Sequence, residues 1–142
     1  MIHIIDYGAG NLFSVQNALN YLQIENKITA NPADLADADG IILPGVGAFR
    51  DAMTMLNESG FTEAIKVQAA AGKPILGICL GMQMLFEKGY EFGETDGLGL
   101  IPGNVVLIDG GGLKIPHMGW NDLTVLNDCP LSAGVADGDY VY

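Results

Sequence analysis

Short runs of consecutive apolar residues alternate along the chain with stretches in which apolar positions recur every three or four residues. Ile2 to Asp6 is the first run; it stops at the glycine turn Tyr7-Gly8-Ala9-Gly10, as a buried strand does. Leu12, Val15, Leu19 and Leu22 follow at helical spacing, with Asn11 placed to cap the first turn. Ile24 to Thr29 reads as a second strand, Asn31-Pro32 as a turn, and Gly40 to Leu43 as a third strand ending at the loop Pro44-Gly45-Val46-Gly47. Phe49, Met53 and Leu56 mark a helix, and Phe61, Ala64, Ile65, Gln68 and Ala69 mark another beyond the break at Gly60. Pro74 to Ile78 is a fourth, continuously apolar strand; it leads into a helix expected from Leu80 to Lys88, with Met84 and Leu85 on its apolar face.

Buried strands that alternate with helices require parallel strands joined by right-handed crossovers. The expected fold is therefore α/β, an open, mostly parallel sheet with helices on both faces. Ligands in such sheets sit beyond the strand C-termini, where both Pro44 to Gly47 and Gly77 to Gly81 fall. After Gly97, short strands around Gly99 to Ile101, Val105 to Ile108 and Leu123 to Val125 predict a small antiparallel extension. The closing residues Asp137 to Tyr142 read as a turn and the opening of an apolar strand. The reading is of one domain over residues 1–142, cut short at its C-terminus before its last strands.

Composition narrows the function. With 49% hydrophobic and 16% charged residues the chain is an apolar globular protein. No apolar run reaches the roughly 20 residues needed to span a bilayer, and the start lacks a basic leader, so the expectation is a cytoplasmic protein without a membrane partner. Six Lys and Arg against 17 Asp and Glu give a net charge of -11, which would repel a polyanion and argues against nucleic acid. The two cysteines, Cys79 and Cys129, have neither metal-ligand spacing nor a secreted context; no metal and no cofactor is called for. Cys129, in Asn127-Asp128-Cys129-Pro130, reads as a packed small residue.

Cys79 is different. Gly77-Ile78-Cys79-Leu80-Gly81 has the Gly-x-nucleophile-x-Gly pattern of a nucleophile elbow, a strained strand-to-helix turn whose neighbours need small side chains. The thiol there faces a helix N-terminus, which favours thiolate. The same turn aims the Leu80 N–H at a substrate carbonyl oxygen as one oxyanion donor, and the glycine loop at Pro44 to Gly47 can offer the Val46 N–H as a second. A catalytic Cys also needs a base, usually His. Only His3 and His117 occur; His3 lies in the first strand, away from the catalytic edge, and both read as structural or interface residues.

Gly77-Ile78-Cys79-Leu80-Gly81-Met82-Gln83 resembles the class I (triad) glutamine amidotransferases, which have a flavodoxin-like fold. The stretches Asp6 to Leu12, Leu43 to Phe49, Gly97 to Gly103 and Pro116 to Asn121 resemble one branch of that family, the glutaminase subunits of imidazole glycerol phosphate synthase in histidine biosynthesis. The resemblance implies that Cys79 forms a glutamyl thioester and releases ammonia, with Leu80 and Val46 holding the oxyanion. It implies substrate contacts at Gly45, Gly47, Gln83 and Glu91. It also implies a heterodimer with a cyclase subunit that receives the ammonia, faced by Asn11, Pro116, His117, Met118, Trp120 and Asn121. Trp120 and Met118 suit an interface independently, since both residue types are enriched there, with core filling as the alternative. The family's catalytic His and Glu stand one residue apart, and no His-x-Glu occurs in these 142 residues, so the chain alone is expected to be inactive. Two other readings are a different amidotransferase of the class, such as the pyridoxal phosphate glutaminase, and a non-catalytic binding module of the same fold.

Overall fold

Side-chain alternation along the first strand divides the core in two. In the computed structural model, which describes residues 1–127 and 129–142, the strands β1 (Ile2–Ile5), β2 (Asn26–Thr29), β3 (Gly40–Gly45) and β4 (Ile75–Cys79) form a parallel sheet in the order β2-β1-β3-β4. This is the strand order at the start of a flavodoxin-like sheet. Ile4 and Ile42 point to one face, where helix α1 (Leu12–Tyr21) covers them with Leu12, Val15 and Leu19. Ile5, Ile41 and Leu43 point to the other, onto α2 (Phe49–Glu58), α3 (Phe61–Ala70) and α4 (Leu80–Met84). Phe49, Leu56, Phe61, Ile65 and Met84 are buried there, each such burial worth about 1.5–3 kcal/mol. Helices thus lie on both faces, as the sequence predicts, and Asn11 caps α1 by accepting the Ser14 N–H at 3.2 Å.

Two elements differ from expectation. The third strand continues through Pro44 and Gly45, which pair with Ile78 and Cys79. A proline is tolerated in this central strand because the ladder with β1 ends earlier, at Ile4 opposite Ile42, so no N–H is required of Pro44 on that side. The helix after Cys79 ends at Met84 rather than Lys88. Its last carbonyls are taken from outside: Leu98 N–H donates to Met84 O and Leu100 N–H to Leu85 O, both at 2.8 Å, and the chain turns into β5 (Phe86–Gly89). Strand β4 is not enclosed. It is the edge of the sheet, and α1 rests on β1 and β2, leaving Leu76 48% and Ile78 38% exposed on that face.

Strand β5 centres a small sheet, antiparallel to β6 (Thr95–Asp96) and parallel to β7 (Ile101–Val105). The two strands expected near Gly99 and Val105 are thus one, with Pro102 on an edge strand where its missing N–H costs nothing. These elements belong to the unit Met1–Leu107; Ile108–Tyr142 form a second. In the second unit β8 (Asn121–Asp122) runs antiparallel to β9 (Tyr140–Val141), the apolar strand expected at the end of the sequence. The strand expected at Leu123 to Val125 is not formed, because the Asp137 carboxylate instead accepts the Val125 N–H, at 2.6 Å. Trp120 and Tyr142 meet edge to face, with ring centroids 5.5 Å apart. Among the described residues no helix is long and apolar enough to cross a membrane.

An uncovered apolar face beside an unpaired strand edge favours self-association. Light scattering on the 142-residue chain is expected to give a mass above the monomer's, and Leu76→Lys with Ile78→Thr is expected to bring it down. Monomeric behaviour of the parent chain would refute this.

Candidate active site

The elbow is set by how closely backbones approach. A Cβ on Gly81 would lie 1.8 Å from the Leu43 carbonyl oxygen, one on Gly77 2.4 Å from the Met82 Cα, and one on Gly45 2.6 Å from the Gly81 nitrogen. Only glycine fits these three positions. Between Gly77 and Gly81, Cys79 adopts φ 56° and ψ -118°, a conformation costing a non-glycine residue on the order of 1–3 kcal/mol. That strain is the mark of a nucleophile elbow. It leaves the Cys79 thiol exposed at the C-terminal edge of the sheet, directly beside Gly45 in the β3–β4 register. Leu80, the next residue, is buried as the first residue of α4. With only five residues, α4 brings about one turn of aligned peptide dipoles to the thiol, less than the expected helix would have done.

Val46 and Gly47 follow Gly45 directly, so the loop expected to hold the second oxyanion donor emerges next to Cys79. The loop after β1 braces it. Tyr7 Oη donates to the Pro44 carbonyl at 3.0 Å, and Gly10, at φ 107°, comes within 3.0 Å of the Pro44 Cβ when a Cβ is placed on it. Burial pushes the Tyr7 hydroxyl up to about 12 from 10.0. Sequence reasoning missed Tyr7 as a support, although it stands in the Asp6 to Leu12 stretch; its signal is a tyrosine next to a glycine turn at the sheet edge.

Of the expected substrate contacts, Gln83 is half-buried on α4, four residues beyond Cys79. Glu91 lies just past β5, and its Oε2 accepts the Phe49 N–H at 2.9 Å. Gly45, Leu80 and Cys79 are brought together; His3 is not part of that group. His3 is 2% exposed, and neither ring nitrogen has a hydrogen-bond partner among the described residues. It pairs with Ile41, four residues before Gly45 on β3, about 13 Å along the strand. His117 belongs to the second unit, its Nε2 3.2 Å from Asn121 Nδ2. Asn11, Pro116, His117, Met118, Trp120 and Asn121 are all exposed, so Met118 at 74% and Trp120 at 69% are not filling a core. Cys129 departs from its expected packed state: it is exposed, and a hydrogen bond from Ser132 Oγ holds its thiol below the ordinary range.

Comparison with known proteins agrees with this geometry. A crystal structure of a glutamine amidotransferase superposes with a TM-score of 0.60 at 22% identity, covering 70% of this chain and 52% of that one, which supports the fold. The CobB/CobQ-like glutamine amidotransferase domain matches residues 2–109. The imidazole glycerol phosphate synthase subunit HisH of Caldanaerobacter subterraneus is 53% identical across all of this chain and 70% of its own length. The chain belongs to the HisH family of glutamine amidotransferases. HisH from Desulfitobacterium hafniense is 55% identical over all of this chain and 67% of its own length, and that of Lacticaseibacillus casei 52% identical over 96% and 66%. The chain thus spans about two thirds of the length of these HisH relatives.

Tyr7 gives a pH dependence with a definite sign. Its hydroxyl stays protonated in the folded state above the pH at which the unfolded chain ionises, so its contribution is complete below about pH 10 and is lost as pH rises towards 12. In urea titrations Tyr7→Phe is expected to flatten this alkaline loss, which amounts to at most about 3 kcal/mol, and to lower stability at pH 8 by about 1 kcal/mol through the lost hydrogen bond. An unchanged alkaline profile would refute the assignment.

Proposed function

We propose that the chain carries the nucleophile half of a glutaminase site that feeds ammonia to a synthase partner. The observation that carries this reading is Cys79, exposed at φ 56° beside Gly45 at the sheet edge, in a member of the HisH family. The Cys79 sulfur attacks the side-chain amide carbon of glutamine, and the carbonyl oxygen takes the negative charge between the N–H groups of Leu80 and Val46. Collapse breaks the C–N bond, ammonia leaves with a proton from the general base, and a glutamyl thioester remains. Water then releases glutamate and the thiol. Gly45, Gly47 and Gln83 hold the amino acid, and the Glu91 carboxylate suits its α-ammonium.

The ammonia passes to a cyclase subunit in a cytoplasmic heterodimer that cleaves and cyclises its own substrate, with Asn11 and the Pro116 to Asn121 segment facing it. Support for the interface comes from the exposure of Met118 and Trp120, residue types enriched at protein contacts, and from the subunit designation of the relatives. The base is proposed to come from the part of the family's length that these 142 residues do not span, since His3 is buried at the other end of the strands and no His-x-Glu occurs.

Two measurements test this. In a chain of full family length bound to its synthase partner, Cys79→Ala is expected to cut glutamine-dependent synthesis by at least about 10³-fold while added ammonia still supports it. Surviving glutamine dependence would exclude Cys79. The 142-residue chain is expected to hydrolyse glutamine at least about 10³-fold more slowly than the family-length chain; comparable turnover would show that the base lies within it.

A further inference from the structure

Residues Gly89 to Glu91 grip Phe49 in two ways that the reaction as described does not use. Glu91 Oε2 accepts the Phe49 N–H at 2.9 Å across 42 residues of sequence. Gly89 lies flat against the Phe49 ring, so that a Cβ added there would be 2.6 Å from its Cγ and Cδ1. Phe49 opens α2 and is 1% exposed, and the preceding N-cap position is Ala48, which makes no side-chain cap. Glu91 therefore supplies the cap that the local sequence lacks.

The grip matters because of what it adjoins. Only Val46, Gly47 and Ala48 separate Gly45, fixed beside Cys79 in the sheet, from Phe49. Gly47, at φ 93° with open space around a Cβ, is where this short link turns. Holding both of its ends limits the directions the Val46 N–H can take. The segment from Cys79 to Glu91 is continuous through α4 and β5, so the residues that follow the nucleophile also reach the far end of the oxyanion loop.

We propose that Gly89 and Glu91 are positioning residues that aim the Val46 N–H at the oxyanion by clamping Phe49. The inference rests on the reading of Val46 as an oxyanion donor. Glu91 then has two separable duties: one carboxylate oxygen caps α2, and the charge meets the substrate's α-ammonium. Orientation of a single oxyanion donor is worth up to about 10²–10³ in kcat, and displacing the clamp forfeits part of that.

The test uses the family-length chain in complex with its synthase partner. Gly89→Ala, which pushes on the Phe49 ring, is expected to lower kcat for glutamine about 10-fold with KM changed less than about 3-fold, ammonia-dependent synthesis being retained. Adding Phe49→Leu, which shortens the ring, is expected to restore kcat to within about 3-fold of the parent. For an arm that leaves the core untouched, the substrate is glutaramate, glutamine without its α-amino group. With this substrate Glu91→Ala, which removes the acceptor for the Phe49 N–H, is expected to lower kcat about 10-fold. A Gly89→Ala complex with parental kcat, a loss that Phe49→Leu does not restore, or parental kcat of Glu91→Ala with glutaramate would overturn the clamp. Failure of the underlying site reading looks different, because glutamine-dependent synthesis would then survive Cys79→Ala.

Discussion

The contact on which the rest of the site depends is between two stretches of main chain, with no side chain involved. Gly81, in the first turn of α4, lies so close to the Leu43 carbonyl that a single added carbon would overlap it. This lets α4 start directly over β3, which in turn forces the turn at Cys79 into its positive φ. Gly77 and Gly45 complete the same approach from β4 and β3. Strain at the cysteine is sustained because the surrounding backbone leaves it no relaxed alternative. The exposed thiol is thus a consequence of sheet and helix packing, and its placement next to Gly45 follows from strand register.

Around this contact, stretches that mark the family turn out to be braces. Tyr7 and Gly10 hold Pro44 from the loop after β1. Leu98, Gly99, Leu100 and Ile101 donate backbone N–H groups to Met84, Phe86 and Leu85, so the Gly97 to Gly103 segment ends α4 and starts β5. A Cβ on Gly97 would sit 2.2 Å from the Phe86 carbonyl oxygen, which explains the glycine there. These residues touch no reacting atom in the proposed chemistry, yet the elbow and the oxyanion loop are placed by them.

What the sequence made legible was local: apolar periodicity for β1, α1, α2 and α3, the Asn11 cap, and the glycine spacing around Cys79. The features it hid depend on partners distant in sequence. Helix α4 stops at Met84 because N–H groups from beyond Gly97 satisfy its last carbonyls, and nothing between Leu80 and Lys88 announces that. Strand β3 runs on through Pro44 because its neighbour's ladder has already ended, a fact of register rather than composition. Glu91 was readable as a carboxylate for an ammonium, but its bond to Phe49 spans 42 residues and has no pattern to betray it.

The edge position of β4 carries a consequence for motion. The strand that bears Cys79 is hydrogen-bonded on one side only, to β3, whereas β3 is held on both sides up to Ile42. Amides on the outward side of β4 are therefore free to exchange their protons with solvent without any opening of the sheet, while those of β1 and the first half of β3 exchange only when the unit opens as a whole. Cys79 and Gly45 thus both lie beyond the doubly held stretch that ends at Ile42, in the part of the sheet where β3 and β4 are hydrogen-bonded only to each other.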